Sequence, residues 1–401
     1  MSTLQFPVPE RTTTSTGNIV IDGPLPAMPT GRALVPARAY TGAEEFALEQ
    51  DRIFSSGWVW AGYEHWVGEV GSVHPVTIGG KPLLLVHGDD GQIRVFHNSC
   101  RHRGMALTED PIVVQGRIQC AYHCWSFKLD GTLAAAPYYT RERRSKLDPE
   151  TAERLSLLLV ASHTWAGMIF IDVSATDTDP QACAESFAAH LEPLLSRWSH
   201  IDFSRLHLAG EKKFDVDANW KLIVENFLDF YHLPFVHPQV GPVTVSLDVD
   251  DIALHPDIMG GSYPRGAAGK AEKTSKSLPW LGDVPADRLE RQDIFCLFPN
   301  ALVFLEADWF QVIGYHPVAP NRTVEYMSIF VDSSAAGDDY SETRAQLCEV
   351  LWEVNEQDMP MLHRLQIGRN SPGSDSTNLV SHWDQVTAVF QDRVATKAGY
   401  R

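Results

Sequence analysis

The sequence predicts an α+β protein with a β-rich first part and a second part that mixes helices with an antiparallel sheet. Three observations carry that expectation. Short alternating segments between Trp58 and Leu133 are separated by turn residues. Near the middle, Trp220, Ile223, Val224, Phe227, Leu228 and Tyr231 recur at three- and four-residue steps, a buried helix pattern. A second group of strands then precedes a long amphipathic pattern over 341–367. At 401 residues the chain exceeds the usual size of one core, so two domains are expected. The divisions expected are an arm over 1–44 that joins the second domain, a β domain over 45–160 and a larger domain over 161–401.

Residues 1–40 are rich in Pro, Thr and Gly and read as an irregular lead-in. A short helix is expected over Glu44–Phe54. Strands are expected at Ser72–Ile78, Pro82–His87, Gln92–His97, Ile112–Gln119 and Phe127–Leu133, with turns at Gly88-Asp89-Asp90-Gly91 and Asp130-Gly131. Trp165–Ile171 reads as a strand, Gln181–Trp198 as a helix and Leu206–Val216 as a strand. The long stretch Gly241–Asp283, with Gly260-Gly261 and several lysines, reads as an irregular lid or surface excursion. Ile294–Phe298, Ala301–Glu306, Trp309–His316 and Thr323–Val331 read as an antiparallel meander.

The 33 basic and 51 acidic residues give a formal charge of −18, which disfavours a nucleic-acid partner. No basic n-region followed by an apolar stretch opens the chain, so no signal peptide is expected. The most apolar stretch, Leu155–Ile171, is interrupted by polar residues and shorter than the ~20 residues of a membrane span. Six cysteines are too sparse for a disulfide scaffold, and a reducing cytoplasm fits them better.

Three of the six, Cys100, Cys120 and Cys124, lie close together, which points to a metal. The pattern is Cys100-x-His102, then Cys120-x-x-His123, each pair falling in a turn between strands. Two thiolates and two imidazoles can hold zinc or an iron–sulfur cluster. Cys-x-His is tighter than the usual zinc knuckle. One Cys and one His from each of two β loops meet the demand of a Rieske centre, with two cysteines on one iron and two histidines on the other.

The central stretch 219–238 brings a second set of ligand types, Asp229, His232 and His237. With a helix running to about His232, Glu225, Asp229 and His232 would share one stripe. Pro234 would stop or kink that helix and deliver His237 from a bent segment. A polar stripe on an apolar helix is costly unless paired or bound to metal. The plainer alternative is an Asp229–His232 pair inside a core. Two histidines and a carboxylate make the facial triad of oxygen-activating Fe(II). The carboxylate is expected at Asp358, which interrupts the apolar stripe Leu347, Leu351, Val354, Met361 and Leu365. Glu356 is the reserve, and Pro360 is expected to distort this helix.

Cys100-Arg-His-Arg-Gly104 with Cys120-x-x-His123-x-Trp125, followed by Asn219-Trp-Lys through His237, resembles the Rieske non-heme iron oxygenases, the ring-hydroxylating oxygenase α-subunit family. Glu356-Gln-Asp-Met-Pro resembles that family's C-terminal ligand motif, with Asp358 at the ligand position. The similarity spans about residues 40 to 370, and Cys124 stands where the family usually has Gly. The resemblance implies an all-β Rieske [2Fe-2S] domain plus a catalytic domain whose antiparallel sheet wraps around helices, a helix-grip, START-like arrangement. It implies one [2Fe-2S] cluster, one mononuclear Fe(II) and O₂ as co-substrate. It also implies that Asp229 bridges a cluster histidine, here His123, to His232 across a subunit boundary, in a homotrimer or a multiple of it. Asn226 matches a family position beside the iron. Phe304, Trp309, Phe310 and Tyr326 are candidate pocket residues, with a plain core role as the alternative.

No G-x-G-x-x-G fingerprint is present, so electrons are expected from a separate NAD(P)H-dependent reductase or ferredoxin. The expected function is a terminal oxygenase that hydroxylates or oxidatively demethylates a small organic molecule, the wording of the iron motif being somewhat like the branch acting on quaternary amines. An aromatic-ring cis-dihydroxylating dioxygenase is the alternative within the class. A Rieske electron carrier and a zinc-stabilised binding protein are the alternatives outside it.

Overall fold

The computed structural model describes residues 19–21, 31–144, 146–237, 243–245, 253–264, 277–379 and 383–400. The architecture is α+β, as expected. Two seven-stranded sheets dominate it. The first runs, in spatial order, Val59–Tyr63, Met168–Asp172, Leu159–Trp165, Ile93–His97, Lys81–His87, Ser72–Ile78 and Ile112–Val113. A three-stranded sheet, Leu133–Ala135, Ser126–Lys128 and Arg117–Gln119, lies beside it. The expected strand Ile112–Gln119 is therefore two strands in two sheets, and the expected strand Phe127–Leu133 is a hairpin around Asp130-Gly131. Gly131, at φ 86°, takes the left-handed conformation such a turn requires. The expected strand Trp165–Ile171 is also a hairpin, closed at Ala166-Gly167, where both residues have positive φ. Its strands belong to the first sheet, so the division expected near residue 160 falls inside a continuous sheet.

The second sheet is antiparallel throughout and runs Leu206–Val216, Arg322–Asp332, Phe310–Ala319, Ala301–Leu305, Arg291–Leu297, Ile258–Pro264 and Ala253–His255. The last two strands lie in the stretch expected to be irregular; most of the rest of that stretch, including 246–252 and 265–276, lies outside the described residues.

Seven helices are described: α1 (Ala43–Arg52), α2 (Pro149–Arg154), α3 (Pro180–Arg197), α4 (Trp220–Phe227), α5 (Leu233–Val236), α6 (Ser341–Gly368) and α7 (Gln385–Ala398). Among the described residues, no helix is long and apolar enough to cross a membrane. α1 straddles the boundary expected at residue 45 and packs toward α4. Its Glu49 and Lys221 of α4 are both fully buried, 2.7 Å apart. Trp220 and Tyr400 also donate to the Glu49 carboxylate, and Lys221 donates to the Ala39 carbonyl. With each charge surrounded by partners, the pair fixes the N-terminal segment on the helix that leads into the central motif.

α6 is continuous through Pro360, against the expected distortion. Its buried face also differs from the expected stripe. Leu362 and Gln366 are buried, whereas Leu365 is 47% exposed. Gln366 earns its place by accepting from the Asn219 N–H and donating to the Tyr40 carbonyl.

Candidate metal centres and substrate cavity

The two Cys–His loops are near copies of each other. The Cys100 N–H donates to the Met105 carbonyl, and the Cys120 N–H to the Trp125 carbonyl, both at 2.8 Å. The N–H of Gly104 returns to the Cys100 carbonyl at 2.9 Å, and that of Cys124 to the Cys120 carbonyl at 3.1 Å. Each turn has a left-handed residue four positions after its cysteine, Gly104 at φ 75° and Cys124 at φ 60°. That is the physical reason glycine suits position 124. Cys124 is exposed, whereas Cys100 and Cys120 are buried.

Between the loops, His102 Nδ1 and His123 Nδ1 lie 3.1 Å apart. Two ligand atoms about 2.1 Å from one metal sit at such a separation. Burial pushes the Cys100 thiol pKa up, and the adjacent Cys120 adds to the shift. Buried thiols beside two convergent imidazoles are the donor set of a Rieske centre, and the residues fit it. Both histidines are exposed, with His102 stacked on Trp125 at 5.0 Å between ring centroids.

The central motif is folded differently from its sequence pattern. α4 stops at Phe227, and Asp229 follows in irregular backbone. The expected shared stripe of Glu225, Asp229 and His232 does not form. Glu225 instead meets Tyr40, Arg369 and Gln391, away from the histidines. Pro234 opens α5 rather than ending a helix, because a helix's first turn needs no N–H from it. The break turns the Asp229 carboxylate back onto both the Tyr231 N–H, at 2.6 Å, and His232 Nδ1, at 3.2 Å.

His232, His237 and Asp358 converge, their ligand atoms all within 4.8 Å. Each imidazole has its Nδ1 held, His232 by Asp229 and His237 by Gln357 Oε1 at 2.8 Å. This leaves both Nε2 atoms facing Asp358 Oδ1, at 3.6 Å and 3.0 Å. Carboxylate or amide partners on the far ring nitrogen are what fix the tautomer of a metal-ligating histidine. Burial alone would lower the His237 pKa, but Asp358 and Gln357 outweigh it and the net shift is upward. Asn226 Nδ2 stands 3.3 Å from His232 Nε2. The reserve carboxylate, Glu356, faces outward and pairs with Lys212. Gln357 carries no periodic signal in the sequence; only the fold brings it to His237.

A second trio, His190, His255 and Asp257, also clusters within 4.8 Å. There the Arg393 guanidinium sits on the Asp257 carboxylate, and His255 Nδ1 accepts the Asp257 N–H at 3.1 Å. That trio already has its cation, which sets it apart from the His232 site.

A cavity of about 670 Å³ opens beside His232, His237 and Asp358, within the range of small-molecule sites. Ile294, Phe304 and Gln311 are direct cross-strand neighbours and all line it. Trp309 joins them, its ring 4.8 Å from that of Phe304. The other two aromatic candidates lie elsewhere. Alternation along each strand sends Ile313 and Met327 into the cavity and Phe310 and Tyr326 to the opposite face. There Phe310 packs on Trp198 and Phe203, and Tyr326 on Trp60 and Trp66.

A family profile described as "Rieske [2Fe-2S] domain" matches residues 57–152, and one described as "Ring hydroxylating alpha subunit (catalytic domain)" matches 203–399. The chain belongs to the Rieske non-heme iron oxygenases. It is 25% identical over 371 residues to a choline monooxygenase of Atriplex hortensis, covering 88% of this chain and 76% of that one. It is 25% identical over 343 residues to the carnitine monooxygenase oxygenase subunit of Acinetobacter pittii, covering 84% and 85%. A quaternary ammonium Rieske monooxygenase with bound gamma-butyrobetaine superposes with a TM-score of 0.66 at 21% identity, over 92% of this chain and 96% of the other. The naphthalene 1,2-dioxygenase of a Rhodococcus species gives the same TM-score at 17% identity, over 91% and 94%. This Rieske oxygenase is therefore an oxidoreductase, a terminal oxygenase that acts on a small organic molecule with electrons from a separate reductase. The family carries a Rieske cluster and a non-heme iron, and uses O₂.

Proposed function

We propose that this oxygenase hydroxylates or demethylates a small amine of the quaternary ammonium type, with Cys100, His102, Cys120 and His123 holding the [2Fe-2S] cluster and His232, His237 and Asp358 holding one Fe(II). The observation that carries the metal assignment is the pair of Nε2 atoms aimed at one carboxylate oxygen, each ring fixed from behind. The iron supplies O₂ activation. The chain's residues orient its ligands, and the cavity keeps the substrate beside them. Asp229 is the bridge: it holds His232 from behind and is partly exposed, so a neighbouring subunit's exposed His123 can reach it. A homotrimer or a multiple of it meets that need. Asn226 steadies His232 from the other side.

The substrate class rests on two supports. The relatives at 24–30% identity are named for choline, carnitine and glycine betaine. The cavity is lined by the rings of Phe304 and Trp309 and by the exposed carboxylates Glu349 and Glu353, residue types that suit a cation. A cytoplasmic location supplies the donor, a reductase drawing on NAD(P)H or its ferredoxin, and keeps the thiols reduced.

Labelled O₂ with a substrate panel tests this reading, electrons coming from a surrogate reductase. Choline, carnitine or glycine betaine should yield one labelled oxygen atom per product, or formaldehyde on demethylation. Incorporation of both atoms into naphthalene, with no turnover of the amines, would assign the chain to the dihydroxylating branch instead.

A further inference from the structure

We infer that the loop around Tyr139, Arg141, Arg143 and Arg144 is the docking surface for an acidic electron-donor protein, and that the electron enters through Tyr139, Trp125 and His102. This rests on the reading of Cys100, His102, Cys120 and His123 as the cluster site.

Charge is the first support. The chain carries −18, yet residues 138–146 hold four basic side chains and one acidic one. Residues 141–144 are all exposed. A positive patch on a strongly acidic molecule singles out where an acidic partner can land, because like charge repels it elsewhere. The loop closes on itself, the Tyr138 N–H donating to the Arg143 carbonyl at 3.4 Å.

Ring contacts are the second support. Tyr139 is 44% exposed, and its ring meets Trp125 edge-on at 6.1 Å between centroids. Trp125 is buried and stacks on His102 at 5.0 Å and 12°. The basic loop is thus joined to a cluster histidine by two consecutive ring contacts. Arg103, over the Tyr122 ring at 5.7 Å, extends the positive rim toward His123. Entry beside His102 leaves His123 for the exit toward Asp229. A second copy of this chain is also acidic, but electrons must come from outside the chain, and redox encounters use small, charge-steered surfaces. The step moves one electron from a reduced iron–sulfur donor to the oxidised cluster, with no bond made and no proton required.

The test uses the full chain with its metals and the triple variant Arg141→Glu, Arg143→Glu, Arg144→Glu. The probes are a pre-reduced acidic [2Fe-2S] ferredoxin and, separately, dithionite. Stopped-flow bleaching of the cluster should show a ferredoxin rate lower by roughly tenfold or more at low salt, and a wild-type rate that falls steeply with ionic strength. Calorimetry should show weaker ferredoxin binding. The dithionite rate, cluster spectrum and oligomeric mass should match wild type. Tyr139→Ala should slow the ferredoxin step, and Tyr139→Phe should restore it. An unchanged ferredoxin rate overturns the proposal, as does a changed oligomeric mass, which would assign the loop to a contact between copies. If dithionite bleaches no Rieske band in the wild type, the cluster reading itself fails.

Discussion

The four cluster residues lie between positions 100 and 123, on two neighbouring loops, and both imidazoles reach the surface. The triad draws on positions 232, 237 and 358, and its His237 is completely buried. An electron-transfer centre has to meet a partner, so its ligands can be local and exposed. A centre that handles O₂ beside a substrate has to exclude water, so its ligands sit under a sheet and a long helix. The two halves also carry charge differently. The first exposes Arg103, Arg117, Arg141, Arg143 and Arg144, whereas the second buries Lys221, paired with Glu49 of α1, and Glu325.

The sharpest break between the two regions should come from His232→Ala. It should lose the single iron and all turnover while keeping the cluster absorption, checked by metal analysis and visible spectroscopy. Loss of the cluster band in that variant would mean the regions are not separable. The next largest effect is on stability. Lys221→Met leaves the Glu49 carboxylate buried without its cation, which should cost about 3–5 kcal/mol in urea unfolding. An equivalent change at the exposed Arg141 should be close to neutral.

Glu325 gives a pH test. Burial, opposed by the Asn355 hydrogen bond and reinforced by Asp358, raises its pKa from 4.5 to about 7. The folded state therefore holds this proton more tightly than the unfolded chain. The group's stabilising contribution is complete below pH 4.5 and is lost as pH rises through about 7. The loss is on the order of 3 kcal/mol. Metal-free protein should lose stability over that window, and Glu325→Gln should lack this part of the slope. Smaller still is the bridge: Asp229→Asn should keep both metals yet slow turnover, coupled to electron transfer from the cluster, roughly 10- to 100-fold. Single-turnover kinetics would check it, and near-normal turnover would remove Asp229 from the route. The smallest effect is at Cys124→Gly, which relieves a left-handed non-glycine residue and should raise stability by about 1 kcal/mol with the cluster spectrum intact.

Much of this was legible in the chain. Cys100, His102, Cys120 and His123 are spaced for two tight turns, and tight turns are decided by neighbours in sequence. The α6 helix was legible because its period is long and regular, and Asp358 because a carboxylate stands out among apolar positions. Phe310 and Tyr326 were misplaced because an aromatic on a two-faced buried strand gives no sign of which face holds the cavity. The break after Phe227 was hidden because Leu228 and Tyr231 continue the apolar period while the backbone does not.

The sequence alone determined the chemistry at hand, two thiols and four imidazoles among acids that an apolar setting would otherwise reject, because ligand type and local spacing are written residue by residue. Only the tertiary structure decided which atoms face which. It put Gln357 behind His237 and sent Glu356 outward to Lys212. Those choices depend on the packing of α6 against the bent segment after α4 and against the strand Leu206–Val216, contacts across more than a hundred residues that no local pattern encodes.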